Sequence, residues 1–150
     1  MKTSIPNEQA MLDFGAQLSK ICQSGAIIYL IGELGVGKTT LCRGFLRACG
    51  HQGPIRSPTY TLVEHYPLKN HDVFHIDLYR LGDPEEVEFL GLTDLITENS
   101  VGLFEWPERG EGMLPKPDIV CDMRFGSDGG REIEVSASSE RGIKILSQMV

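Results

Sequence analysis

One stretch constrains this chain more than any other: Gly32-Glu33-Leu34-Gly35-Val36-Gly37-Lys38-Thr39, followed by Thr40. It fits G-x-x-x-x-G-K-[ST], the pattern of a phosphate-cradling loop. Glycines at 32, 35 and 37 let the backbone curl with its N–H groups turned inward, in conformations that a Cβ would hinder. Such a loop opens a helix whose positive N-terminal end faces the same anion. The pattern therefore makes Glu33 to Thr40 the contact surface for a nucleotide's phosphates. Lys38 reaches the terminal phosphates, and the Thr39 hydroxyl ligates Mg²⁺ between them.

The flanking sequence supplies the required order of strand, loop and helix. Ala26-Ile27-Ile28-Tyr29-Leu30-Ile31 is a short apolar run ending directly at Gly32, as a buried parallel strand should. Beyond the loop, Leu41, Cys42, Phe45, Leu46 and Cys49 recur at helical spacing, and Gly50 offers a C-terminal stop. Before it, Asn7 predicts the cap of a helix over about 8–23, with Met11, Phe14, Leu18, Ile21 and Cys22 as its apolar stripe.

After the loop helix, the Gly- and Pro-rich segment 51–58 leads to Arg56-Ser57-Pro58-Thr59-Tyr60. Strands are predicted over 61–66 and 73–79, joined by a turn over 67–72. Asp83, Pro84 and Glu86 spell an N-cap, an N1 proline and a capping box. Thr93 predicts the cap of another short helix running to about 98. Val101 to Glu105 reads as a further buried strand, and 107–117 as a surface loop. Strands over about 118–125 and 131–137 flank a hairpin turn at 126–130. Ser139 to Met149 predicts a closing helix, with Ile143, Leu146 and Met149 turned inward. The antiparallel hairpins argue against a purely parallel sheet. The expected fold is α/β, a three-layer P-loop NTPase-like arrangement with a mixed central sheet, in one domain over 1–150.

Charge narrows the functional classes. The net charge is -7, which argues against direct, charge-driven nucleic-acid binding by this chain alone. No two of the four cysteines (22, 42, 49 and 121) form a C-x-x-C pair, so zinc and thioredoxin-like readings lack support. Without a signal-peptide pattern or an apolar run of membrane-spanning length, the expected location is the cytoplasm, away from membranes.

A phosphate loop needs an acid at the end of a neighbouring strand to complete the Mg²⁺ shell, and two acids qualify. Glu105 closes the wholly apolar run 101–104, which places it centrally, beside the loop strand, and gives it the metal role. Asp77 then sits across the phosphates, near the attacking water or in the second Mg²⁺ shell, unless it is tied to Arg80. Ser57 and Thr59 either sense the γ-phosphate or cap their own turn. Trp106 either packs near the nucleotide or fills core, and His75 reads as structural. No [NT]-K-x-D or D-x-x-G segment supports a GTPase. A small-molecule kinase lacks a convincing lid, since loop 107–117 holds only Arg109 and Lys116 amid acids and prolines. A nucleotide-gated binding module stays open beside an ATPase.

Four motifs occur in order: Gly32 to Thr40; Ser57-Pro58-Thr59-Tyr60; His75-Ile76-Asp77-Leu78-Tyr79-Arg80-Leu81; and Glu105-Trp106-Pro107-Glu108. Together they closely resemble the TsaE (YjeE) family, bacterial P-loop ATPases of tRNA threonylcarbamoyladenosine synthesis. The resemblance covers about residues 5–110; further on it rests on Gly130-Arg131. It implies Mg²⁺-dependent ATP hydrolysis in association with the TsaD and TsaB proteins. TsaD performs the transfer to tRNA, and the TsaE-like subunit supports multiple turnover, with tRNA gripped by the partners. It further implies that Thr39 and Glu105 hold Mg²⁺, that Asp77 acts near the γ-phosphate, and that Arg131 lines the nucleotide pocket. Lys38, Asp77 and Glu105 are then the catalytic set. No arginine reads in the sequence as an obvious finger poised in cis, so slow intrinsic hydrolysis, raised by partners that order segment 51–66, is expected.

Overall fold

In the computed structural model, which describes residues 1–149, the apolar run Ala26–Ile31 (β2) is the middle strand of a seven-stranded mixed sheet. The others are β1 (Lys2–Ile5), β3 (Val63–Pro67), β4 (Asp72–Asp77), β5 (Val101–Glu105), β6 (Ile119–Phe125) and β7 (Arg131–Ala137). Their spatial order is β1-β7-β6-β2-β5-β4-β3. β6, β2, β5 and β4 run parallel, whereas β7 and β3 pair antiparallel with their neighbours and β1 pairs antiparallel with β7. The mixed sheet expected from the hairpins is thus present.

Alternation along the strands splits the core into two layers. Ala26, Ile28 and Leu30 join Val73, Val101, Leu103 and Cys121 on the face covered by the helices α1 (Glu8–Ile21) and α2 (Lys38–Ala48). Ile27, Phe74, Ile76 and Phe104 face the other way, under the 3₁₀ helix Pro84–Leu90 and the short helix α3 (Leu92–Leu95). The helix pair crosses at glycines: a Cβ on Gly15 would meet the Leu41 carbonyl oxygen, and one on Gly44 that of Leu12. This close crossing holds α2, and the loop before it, over β5. No helix among the described residues is long and apolar enough to cross a membrane.

Several local expectations hold and others shift. Asn7 Oδ1 accepts the Ala10 N–H at 2.9 Å, capping α1 as predicted. Asp83 accepts the Glu85 N–H at 2.9 Å, but the segment winds as a 3₁₀ helix, and a return bond from Glu86 is not among its hydrogen bonds. Thr93 is not a cap. Gly91, at φ +66°, ends one helix and starts the next, and α3 stops at Leu95. β3 begins at Val63 rather than 61 because Leu62, at φ +68°, still belongs to the preceding turn. The closing helix α4 (Glu140–Leu146) has its predicted Ser139 cap, with the Gly142 N–H 2.9 Å from Oγ. Its inward stripe differs: Ile143 is 63% exposed while Gly142 and Ile145 are buried. Gly142 presses on the Asp118 carbonyl, a contact only a residue without a side chain permits, and this close approach rotates Ile143 outward.

Candidate functional site

The site forms at the C-terminal ends of the parallel strands, where such sheets place their ligands. β2 runs into the glycine loop, and the loop turns into α2 at Gly37, whose φ of +112° a side chain would resist. Gly35 also takes a positive φ, +82°. Gly32 is needed for a different reason than curl: a Cβ there would lie 2.7 Å from the Met123 carbonyl oxygen. Val36 is fully buried and anchors the loop, while Leu34 stands exposed at its tip. Lys38 is a buried residue, 5% exposed, and its ammonium borders the cleft. It donates to the Gly32 carbonyl and lies 3.8 Å above the centre of the Trp106 ring. Burial lowers its pKa, while Glu105, Glu108 and Asp77 oppose that shift.

Period-two geometry aims the acids. Val101, Leu103 and Glu105 on β5 face α2, as do Val73, His75 and Asp77 on β4, and Asp77 stands directly beside Glu105 in the parallel register. Thr39, in the first turn of α2, donates its hydroxyl to Glu105, with Oγ1 3.1 Å from Oε1 and 3.0 Å from Oε2. Asp77 accepts the Tyr79 N–H at 2.9 Å and the Thr59 hydroxyl at 3.3 Å. Burial raises the Asp77 pKa, with the Tyr79 hydrogen bond working against the shift and nearby Glu105 adding to it. Thr59 also bonds Ser57 at 2.7 Å, so the segment before β3 reaches the acid through its hydroxyls. Arg80 is not tied to Asp77. Its guanidinium lies over the Tyr60 ring at 4.4 Å, beside the same cleft.

These groups line a cleft of about 400 Å³ bounded by Gly35, Lys38, Thr39, Asp77, Glu105 and Trp106. A second cavity, about 310 Å³, opens on the other side of the loop between Ile5, Pro6, Met11, Gly130 and Arg131. Gly35, Gly37 and Thr40 border both. Arg131 lines the second cavity, yet its guanidinium is turned to the loop itself. Nε donates to the Val36 carbonyl at 3.1 Å, and Nη1 donates to Gly129 and Gly130 on its own hairpin.

The donor set suits a hard cation: a hydroxyl and two carboxylates, all oxygen. The one soft donor nearby is Cys42, whose Sγ lies within 4.8 Å of the His75 and Glu105 ligand atoms. Burial, and next the Glu105 charge, push its thiol well above the ordinary range, so it presents a neutral S–H.

Sequence reasoning missed two features. His75 donates to Glu105 Oε2 from Nε2 at 2.6 Å, although it reads as a structural residue in sequence. The signal was the spacing: His75 and Asp77 share a face of β4, as Leu103 and Glu105 do of β5, but only the register shows that the faces meet. The second cavity depends on β1, a four-residue strand too short to announce itself by alternation.

A glycine loop between a central parallel strand and a helix, with strand-end acids facing that helix, defines a P-loop NTPase-like protein. A family model described as "Threonylcarbamoyl adenosine biosynthesis protein TsaE" matches residues 5–133, and the chain belongs to that family. It is similar to the Haemophilus influenzae protein named "tRNA threonylcarbamoyladenosine biosynthesis protein TsaE", with 45% identity over 148 residues, covering 95% of this chain and 93% of the relative. A Bacillus subtilis protein of the same name is 34% identical over 117 residues, covering 78% of this chain and 73% of its own. The solved structure described as "Crystal structure of Bacillus subtilus YdiB" shares the fold with a TM-score of 0.85. That match has 24% identity and covers 99% of this chain and 93% of the other.

Proposed function

We propose that this chain is a single-domain, Mg²⁺-dependent ATPase that supports turnover of a TsaD–TsaB transferase in tRNA threonylcarbamoyladenosine synthesis. The observation that carries this reading is the Thr39 hydroxyl 3.0 Å from the Glu105 carboxylate, in the first turn of the helix that the glycine loop opens. Thr39 and Glu105 would hold Mg²⁺, which when bound neutralises charge on the β- and γ-phosphates. The loop N–H groups from Glu33 to Thr40 receive the phosphates. Lys38 exchanges the Gly32 carbonyl for a terminal phosphate oxygen. Asp77, beside Glu105 at the end of β4, accepts a hydrogen bond from the attacking water and orients it in line. Little covalent chemistry is asked of the protein, so positioning and fixed charge supply most of the rate. One molecule running between the two cavities past their shared border at Gly35, Gly37 and Thr40 would have its nucleoside among Ile5, Pro6, Met11 and Arg131.

The names of the relatives supply the pathway, and the net charge of -7 favours tRNA contact through partners rather than through this chain. The work is done in the cytoplasm, where tRNA is modified. The reading is tested by calorimetric titration of ATP and by phosphate release with Lys38→Ala. We expect the variant to melt as a folded protein, to bind ATP at least about tenfold more weakly, and to lose turnover. Full hydrolysis by Lys38→Ala would overturn the reading.

A further inference from the structure

The geometry points to His75 as a positioning residue for the Glu105 carboxylate, setting how tightly the site takes a divalent cation. This inference rests on the proposal that Glu105 holds Mg²⁺. β4 and β5 lie in parallel register with His75 beside Leu103, so the imidazole reaches diagonally along the shared face to the strand-end acid. The resulting contact, Nε2 to Oε2 at 2.6 Å, is wholly inside the protein: His75 is 0% and Glu105 3% exposed. Thr39 approaches the same carboxylate from α2. The acid is therefore held from two directions, by a helix that belongs to the phosphate loop and by a strand that does not. A carboxylate held by Thr39 alone could turn about its last torsion. With His75 attached, its plane is fixed before any cation arrives.

The other ring nitrogen makes this more than a packing role. Nδ1 of His75 is buried without a hydrogen-bond partner. The proton of the other contact is assigned to Nε2, because an ionised carboxylate accepts. A buried, unsatisfied ring nitrogen is a cost that an apolar side chain would avoid among neighbours such as Val73 and Leu103. Histidine carries that cost at Nδ1 while Nε2 holds the Glu105 carboxylate. Groups that hold metal ligands in this way govern metal affinity by about 10–100-fold.

The experiment measures ADP affinity of the whole chain by calorimetry, in EDTA and across a Mg²⁺ titration, beside a thermal melt. For His75→Leu we expect the half-saturating Mg²⁺ concentration to rise about tenfold or more, with affinity in EDTA unchanged within about twofold. His75→Gln, whose amide nitrogen reaches the Nε2 position, should restore the Mg²⁺ response. His75→Asn, one methylene shorter, should not. If His75→Leu does not fold, the Gln and Asn pair decides alone. A wild-type Mg²⁺ response in His75→Leu or His75→Asn overturns the inference, as does a parallel loss of affinity in EDTA. Glu105→Gln separates the two levels. If it abolishes the Mg²⁺ response and His75→Leu does not, only the His75 role falls. If Glu105→Gln leaves the response intact, the metal assignment falls and the inference with it.

Discussion

Asp118 joins three parts of the fold through one carboxylate, and its neutralisation gives a stability change with a defined pH window. Oδ2 accepts the Ile27 N–H at 2.8 Å, and Arg141 donates to it from Nη2 at 2.9 Å and from Nε at 3.2 Å. Oδ1 accepts the Ser139 hydroxyl at 2.6 Å. β2, β6 and the cap of α4 thus share one acid. Burial alone would raise its pKa, but the Arg141, Ser139 and Ile27 hydrogen bonds together hold it below the ordinary 3.8. Asp118→Asn keeps the shape and one acceptor oxygen, and removes the charge seen by Arg141 and Ser139. A hydrogen bond to a charged group contributes about 1 kcal/mol more than a neutral one, so two such losses amount to about 2 kcal/mol. For a chain of this size that is a drop of about 4–8 °C in Tm near neutral pH. Because the folded pKa is depressed, this stabilisation is fully present above pH 3.8 and is lost as pH falls through the lower, folded value. Melts followed by circular dichroism should show a constant gap between wild type and variant from pH 7.5 to about 4.5. The gap should then narrow below about pH 3.8 and close once pH has passed the lower, folded value, where the wild-type acid is itself neutral. Equal stability at pH 7, or a gap that persists unchanged into acid, would refute the assignment.

Two further perturbations separate stability from activity at the site. Asp77→Asn should melt higher than wild type at pH 7–8, because burial raises the folded pKa and the ionised acid then detracts from stability above that value. The gain should shrink as pH falls toward 3.8, and phosphate release by the variant should drop by about 10²-fold or more. A lower Tm with full turnover would contradict both parts. Gly37→Ala forces a side chain into a φ of +112° and toward Met11 Cε at 2.9 Å, so we expect a loss of about 1–2 kcal/mol in a denaturant melt. ATP affinity should fall with it, by about tenfold, as read by calorimetry.

Much of this arrangement was legible in the sequence because loop spelling and strand polarity are local properties. The Gly32 to Thr39 pattern, the apolar run before it and the 101–104 run before Glu105 each fix their element without reference to the rest of the chain. The placement of Glu105 beside the loop strand followed from 101–104 being apolar on both faces, and β5 indeed pairs with β2. What sequence could not supply was register and close approach. His75 meets Glu105 only because β4 and β5 align with Asp77 opposite Glu105. Ile143 faces solvent only because Gly142 lies against the Asp118 carbonyl. Arg131 is a residue of the second cavity, yet it also binds the Val36 carbonyl 95 positions away, a contact made by the β6–β7 hairpin rather than by any local pattern. Trp106, ambiguous in sequence, has its ring under the Lys38 ammonium, at φ +57° immediately after the β5 acid.

If the Thr39–Glu105 pair holds the metal of an ATPase whose output serves a partner, hydrolysis and its response to that partner should both depend on Glu105. The deciding measurement is phosphate release from ATP by the purified chain, alone and with TsaD and TsaB added, with Glu105→Ala as control. We expect slow release alone, a large increase on adding the partners, and loss of both in the variant. No turnover in either setting despite intact nucleotide binding, or stimulation that survives Glu105→Ala, would contradict that reading.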